Sequence, residues 1–316
     1  MPTVQTIYGP INALPSLEYF SDGNVRSCIS HTESHLHTPY GELIPQFTAN
    51  TFRKRQLPTV SFHPNGMIRN LPLEEQTEVH TPLGKIPAEL ITLYEDGALK
   101  RIFPLNGTLS GFWSQEDEAQ LAEPLLLNTP VGPIETNVLS LYFGPKGNIK
   151  SLTLWPDTQI QVPFQGTTLP VRIGVSFYND GSIKSVEPAS ALSITTPLGE
   201  LLAYDPDAVG ITGDSNSLRF SQSGEVVGLR SVSHAFTLQR EGQAPQRVEP
   251  PIRYSPCDGE SREPAPLQVT FDKGHVFFDA DGMKPVSAPL EDVTVSRFIL
   301  PFVLLGPACT MGSAIM

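Results

Sequence analysis

The residues with the most metal-like spacing are His31, Glu33, His35 and His37. In an extended strand, alternate residues share a face. Three imidazoles and a carboxylate would then lie on one side, and these are ligand types for Zn²⁺ or another divalent metal. Alternate strand residues stand about 6–7 Å apart, so a single ion would take two of the set. A metal-dependent enzyme on the His31–His37 strand, or in a groove beside Trp113 or Trp155, is the catalytic alternative; otherwise no cofactor is expected. Nucleophilic catalysis has no recognisable frame. There is no Gly-x-Ser-x-Gly elbow and no phosphate-cradling glycine loop.

A second set of chemical groups is basic: Arg26, Arg69, Lys100, Lys150 and Lys184. Each lies three residues after the glycine of a recurring unit whose clearest copy is Val175 to Val186. There, Val175 to Phe177 alternates as a half-buried strand does, and Asn179, Asp180 and Gly181 supply turn chemistry. Ile183 to Val186 reads as the return strand. Aligned copies turn at Gly23, Gly66, Gly97, Gly147, Gly181 and Gly224, with a weaker one at Gly282. A large apolar residue stands four before each glycine, and in the first six copies aliphatic or apolar residues stand two and five after it. Stacked in register, the basic positions would form a ladder able to hold an anionic ligand or a lipid headgroup.

A second motif, Thr-Pro-x-Gly, alternates with the first at Thr38, Thr81, Thr129 and Thr196. Proline presets the backbone at the second position of a turn, so both motifs mark chain reversals. In this scheme His37 occupies the place before the threonine that His80, Asn128 and Thr195 hold elsewhere, a polar turn position. The recurring aromatic residue, Asp/Asn-Gly turn and aliphatic-basic pair resemble the MORN-type β-hairpin repeats in their bacterial variant form, over residues 17–230. That resemblance implies a non-catalytic surface for protein–protein contact.

Composition narrows the remaining classes. The chain of 316 residues carries 31 prolines, which break helices and are confined in sheets to edges and turns. With 33 Asp and Glu against 21 Lys and Arg, the net charge is −12. This disfavours nucleic acid, which requires clustered cations, and broad attraction to anionic membranes. Cys28, Cys257 and Cys309 are widely spaced and read as buried thiols of a reducing cytosol. No secretory signal or transmembrane span is expected, so the location predicted is cytoplasmic.

The expected fold is all-β: tandem antiparallel hairpins forming an elongated twisted sheet or open solenoid. Residues 1–238 are the hairpin array with an N-terminal cap. Residues 239–266 are a proline-rich linker or long loop, and 267–316 a C-terminal β segment ending in a strand at 298–305 and an uncharged tail. Gln115 to Leu121 is the best helix candidate, as an exposed turn in an insertion. The function expected is that of a binding or scaffold protein with a protein partner.

Overall fold

The computed structural model describes residues 1–49, 52–210 and 212–299. The expected terminal strand from 298 and the uncharged tail fall outside the described residues from Leu300 onward. The described chain is all-β apart from one helical turn, Gln115–Ala119, and a short 3-10 turn, Leu290–Asp292. It divides into two compact units, Met1–Thr158 and a second beginning at Gln159. Strands pair antiparallel throughout, and among the described residues no sheet closes into a barrel.

The Asp-Gly motif folds as predicted. In the Gly181 hairpin, the Tyr178 N–H donates to the Ser182 carbonyl at 2.8 Å and the Gly181 N–H to the Tyr178 carbonyl at 3.0 Å. The same pair of bonds closes the turns at Gly23, Gly66, Gly97, Gly147 and Gly224. All six glycines have φ between 82° and 87°, a left-handed conformation costly for other residues. This is the three-residue hairpin loop, a type I turn followed by a left-handed residue. The residue before the glycine has its own task. Asp22, Asn65, Asp96 and Asp180 each accept the backbone N–H two residues on, at 2.9–3.1 Å, which is why Asp or Asn recurs there.

The Thr-Pro-x-Gly motif makes a tighter hairpin. Thr38, Thr81, Thr129 and Thr196 each donate Oγ1–H to the carbonyl of their glycine at 2.7–2.8 Å. Thr6 does the same to Gly9 at 2.7 Å, with Ile7 in place of proline. The first strands are therefore a fifth member of this set. These hairpins stack: the His37 N–H donates to the Tyr8 carbonyl at 2.8 Å and the His80 N–H to the Tyr40 carbonyl at 3.0 Å.

In the first unit, eight strands follow sequence order across one sheet: Glu18–Tyr19, Val25–Cys28, Val60–Phe62, Ile68–Thr81, Gly84–Leu93, Leu99–Phe103, Val138–Phe143 and Ile149–Leu154. One face is apolar. Phe62, Leu93 and Phe143 precede their turns and Leu71, Ile102 and Leu152 follow them, all buried. Ile11, Leu36, Leu43, Val79, Ile86 and Leu127 of the Thr-Gly hairpins are buried too. Each such side chain contributes about 1.5–3 kcal/mol. Side chains also tie neighbouring hairpins at one position, the residue after the large apolar one. His63 Nε2 meets the Leu93 carbonyl at 3.0 Å, and the Tyr94 hydroxyl donates to the Phe143 carbonyl at 2.9 Å.

The second unit repeats the scheme. Its sheet runs Gln159–Phe164, Thr167–Phe177, Ile183–Pro188, Leu218–Phe220, Val226–Ser231, Leu267–Asp272, His275–Asp279 and Val286–Pro289. The Tyr178 hydroxyl donates to the Phe220 carbonyl at 2.8 Å, the same inter-hairpin bond. Residues 239–266 hold three short strands, Gln246–Val248, Ile252–Tyr254 and Arg262–Pro264, with Val248 and Ala265 buried. Of the three cysteines expected as buried thiols, two are described. Cys28 is buried and free, whereas Cys257 is exposed.

Candidate functional site

The basic positions gain a structural identity. In six of the aligned hairpins the register slips at the same place: Tyr19 faces Val25 while Glu18 faces Ser27, leaving Arg26 as the extra residue. Arg69, Lys100, Lys150 and Lys184 are the extra residues of their own hairpins, and Val227 that of the sixth. Each is therefore a β-bulge residue, set outside the ladder of paired bonds. In the first unit the adjoining residues form one unbroken cross-strand row: Ser27, Ser61, Asn70, Thr92, Arg101, Tyr142 and Ser151. Arg26, Arg69, Lys100 and Lys150 stand beside that row, on every second strand. Their spacing is thus about 10 Å, twice the interstrand distance.

The surroundings of this ladder are polar and aromatic. Arg26, Arg69 and Lys100 are exposed and Lys150 is half-buried. Lys100 lies 5.5 Å from the Tyr94 ring. Tyr142 carries both Lys150 at 5.5 Å and Arg101 at 4.6 Å. None of the four bulge residues forms an ion pair among the described residues. Lys184, in the second unit, is likewise exposed and unpaired there.

The histidine stretch is arranged differently from the expected strand. Only Leu36–Thr38 is extended into a strand. Before it, Ser30 and Ser34 donate to the Thr32 carbonyl at 3.3 and 3.2 Å. Such local bonds compete with ladder pairing. His35 is held between two carboxylates, with Nδ1 2.7 Å from Glu42 and Nε2 3.1 Å from Glu33. His37 Nδ1 reaches the other Glu42 oxygen at 3.5 Å, and His31 stands apart. The hydrogen bond to Glu42 leads the causes that raise the His35 pKa, and the same contact lowers that of Glu42. Both His35 nitrogens thus serve an ion-pair cluster. Among the described residues, no group of three or more His, Cys, Asp or Glu could hold a metal ion.

Two buried polar networks went unread in the sequence. In the first unit, Arg53 lies in a fork of Glu89 and Glu118, with four N–H···O contacts of 2.7 Å. Glu118 also accepts from the Trp113 indole at 2.7 Å and the Gly107 N–H at 2.8 Å. The helical turn expected to be exposed therefore buries this carboxylate, and its N-terminus is fixed by a capping box between Ser114 and Asp117. Burial alone would raise the Glu118 pKa, but the Arg53 and Trp113 donors hold it below the ordinary 4.5.

In the second unit, a cavity of about 320 Å³ opens on the polar side of the sheet under residues 205–209 and 212–217. Glu187, 2% exposed, accepts from the Ser217 N–H and Oγ–H, both at 2.8 Å. Burial pushes its pKa up to about 7, against those two donors. Ile173, at the cavity wall, has φ 62°. A β-branched residue is a genuine outlier there, and such strain costs about 1–3 kcal/mol. Ile173→Gly is expected to raise unfolding stability by about 1 kcal/mol, strain relief minus the entropy of glycine, as measured by urea titration. A loss of stability would mean that the isoleucine side chain's packing outweighs its strain. A wider recess of about 810 Å³ lies among the tips at Gln165, Pro197, Gly224 and Lys273; it has no buried ionisable wall.

No protein-family model, curated protein or solved structure matches this chain. Among the described residues, no helix is long and apolar enough to cross a membrane.

Proposed function

We propose that the chain is a non-catalytic binding protein that docks an extended acidic segment of a protein partner along the bulge ladder of its first unit. The observation that supports this most is the register: four cations at equivalent bulges, without an ion pair among the described residues, beside one continuous polar row. The cost of concentrating cations is the repulsion between them, and an anionic partner removes it. The spacing of about 10 Å suits an extended chain, because polyproline II advances about 9 Å per three residues and returns to the same face. Tyr94 and Tyr142 hold the Lys100 and Lys150 stems in place through cation–π contact. The MORN-type resemblance of the hairpins implies a protein partner as well.

Fluorescein-labelled poly-L-glutamate supplies the probe. Its anisotropy with the full chain is expected to report binding that weakens steeply with added salt. Lys100→Glu combined with Lys150→Glu should weaken it by about tenfold or more. Absence of binding, or binding indifferent to both substitutions, sinks the proposal. Capture of phosphatidylserine vesicles without capture of poly-L-glutamate would replace the peptide with a lipid headgroup.

A further inference from the structure

Thr-Gly hairpin tips and sheet-turn glycines meet in both units. The Tyr40 hydroxyl, from the turn at 38–41, donates to the Gly97 carbonyl at 2.8 Å. The Tyr8 hydroxyl reaches the same turn, 3.0 Å from where a Cβ on Gly97 would stand. Pro82, in the turn at 81–84, is 3.0 Å from the like position on Gly147. In the second unit, Gln165 donates Nε2–H to the Gly224 carbonyl at 3.1 Å. Tyr40, Pro82 and Gln165 thus each touch the second sheet hairpin that follows them in the chain. By that count the turn at 196–199 should meet Gly274, the turn glycine between Leu267–Asp272 and His275–Asp279. It does not. Among the described residues, nothing beyond its chain neighbours stands within 4 Å of the Cβ position on Gly274. Gly23 and Gly66, at the start of the array, are open as well, but Gly274 lines the recess of about 810 Å³, with Pro197 on the same wall. Leu198 holds the place of Tyr40 in the shared Thr-Pro-x-Gly frame and has no hydroxyl.

The chemistry of the recess is that of a site for a ring with a donor. Phe164, Ile194, Val227, Phe271 and Leu290 give it apolar walls, and Phe164 is braced by the Phe220 ring at 4.4 Å. Glu200, Glu225 and Asp272 line it as well, against Lys273 and His275. The Ser193 and Thr195 hydroxyls donate to Glu200, which keeps that carboxylate in its ionised, accepting form. Acceptors in excess favour a neutral donor over an anion. The volume falls within the range of about 300–1,000 Å³ usual for small-ligand sites.

We propose that this recess binds a phenolic ring, which closes the gap at Gly274 as Tyr8 and Tyr40 close the one at Gly97. The ring packs against Phe164 and Phe271, where offset or edge-to-face contact is favourable. The Gly274 carbonyl already accepts the Leu290 N–H at 3.0 Å, so the hydroxyl donates to a carboxylate of the lining. A free phenol and a tyrosine of another polypeptide share this chemistry.

Ligand-observed NMR titration of the full chain with p-cresol and with N-acetyl-tyrosinamide is the test. Both are expected to saturate within about 10 mM, as ligands this small can. Tighter binding of the amide assigns the ring to a polypeptide, and tighter binding of p-cresol to a free phenol. N-acetyl-phenylalaninamide, which lacks only the hydroxyl, should bind about fivefold more weakly than the tyrosine amide. Leu198→Tyr rebuilds the Thr-Pro-Tyr-Gly frame of Tyr40 and supplies the ring from within. If that ring fills the site about nine-tenths of the time, the affinity for p-cresol falls about tenfold. Should the variant fail to fold, Val227→Trp asks the same question. Five other hairpins carry Arg or Lys at this bulge, so the backbone accepts a large side chain there, and the indole obstructs the wall. No saturation by either phenol, equal affinity for the phenylalanine amide, or affinity unchanged in both variants overturns the proposal.

Discussion

Replacing Arg53 with alanine is expected to destabilise the first unit by about 3–5 kcal/mol at neutral pH. The magnitude comes from what is left behind. Glu89 and Glu118 are 5% and 4% exposed. Without the guanidinium, two buried carboxylates face each other with Lys54 4.0 Å from one of them. The loss is thus the cost of stranded charge, not the value of the ion pairs themselves. Two controls separate these. Glu89→Gln with Glu118→Gln in the Arg53→Ala background should restore much of the stability, because neutral amides tolerate burial better. Acid should narrow the gap between wild type and Arg53→Ala. The donors keep folded Glu118 below 4.5, so the wild-type contribution is complete above that value and is lost as pH falls through the folded value. In the variant the stranded Glu118 carboxyl, without its Arg53 donors, takes up its proton at a higher pH. Both tryptophans, Trp113 and Trp155, lie in this unit, and the Trp113 indole touches Glu118, so tryptophan fluorescence in urea reads the transition directly. A loss under 1 kcal/mol would show that water already shares these carboxylates.

Local chemistry was legible in the sequence because it is local. The Asp-Gly turn places its acceptor two residues from its donor and its glycine one residue on, so the pattern of residues is the pattern of bonds. The threonine of Thr-Pro-x-Gly likewise reaches its glycine three residues away. Thr6 was missed because its turn has Ile7 where proline was the signal, although the threonine and glycine carry the hydrogen bond. Of the strand Ile68–Thr81 only the start was legible, from the Gly66 motif; its continuation past Pro72 was not, for a related reason. Pro72 reads as a breaker, yet the register shifts just after it, and a proline beside an irregularity removes little from the ladder.

The candidate sites divide along the same line. That the basic residues recur was plain, but that each is the unpaired residue of a bulge depends on the partner strand's register. Nothing in a single strand's alternation shows it. The histidines kept their spacing and lost their strand, because Ser30 and Ser34 satisfy backbone groups that a sheet would otherwise have paired. Arg53, Glu89 and Glu118 are separated by 36 and 65 residues. Glu187 looks like any strand residue until Asp205, Asn216 and Ser217 are folded around it. What makes these groups unusual is burial by distant segments, and no window of sequence contains that.

Glu187 should make the second unit less stable as pH rises, the reverse of the usual carboxylate. Its folded pKa of about 7 lies above the ordinary 4.5. Between these values the folded chain holds a proton that the unfolded chain has released. Stability is therefore complete below 4.5 and declines through the window up to 7. A rise of this size corresponds to about 3 kcal/mol. Glu187→Gln removes the titration while keeping an acceptor for the Ser217 N–H, and the Ser217 hydroxyl can turn to accept from the new amide. The variant is expected to match wild type at pH 4 and to exceed it by about 2–3 kcal/mol at pH 8. Urea titrations of both proteins at the two pH values, followed by hydrogen exchange in the strand Ile183–Pro188, give the comparison. His234, whose pKa burial and Arg297 lower, titrates in both proteins and cancels in the difference. Equal pH slopes would mean that Glu187 is already ionised in the folded protein at neutral pH, through water or a ligand in the cavity that burial in the protein alone does not supply.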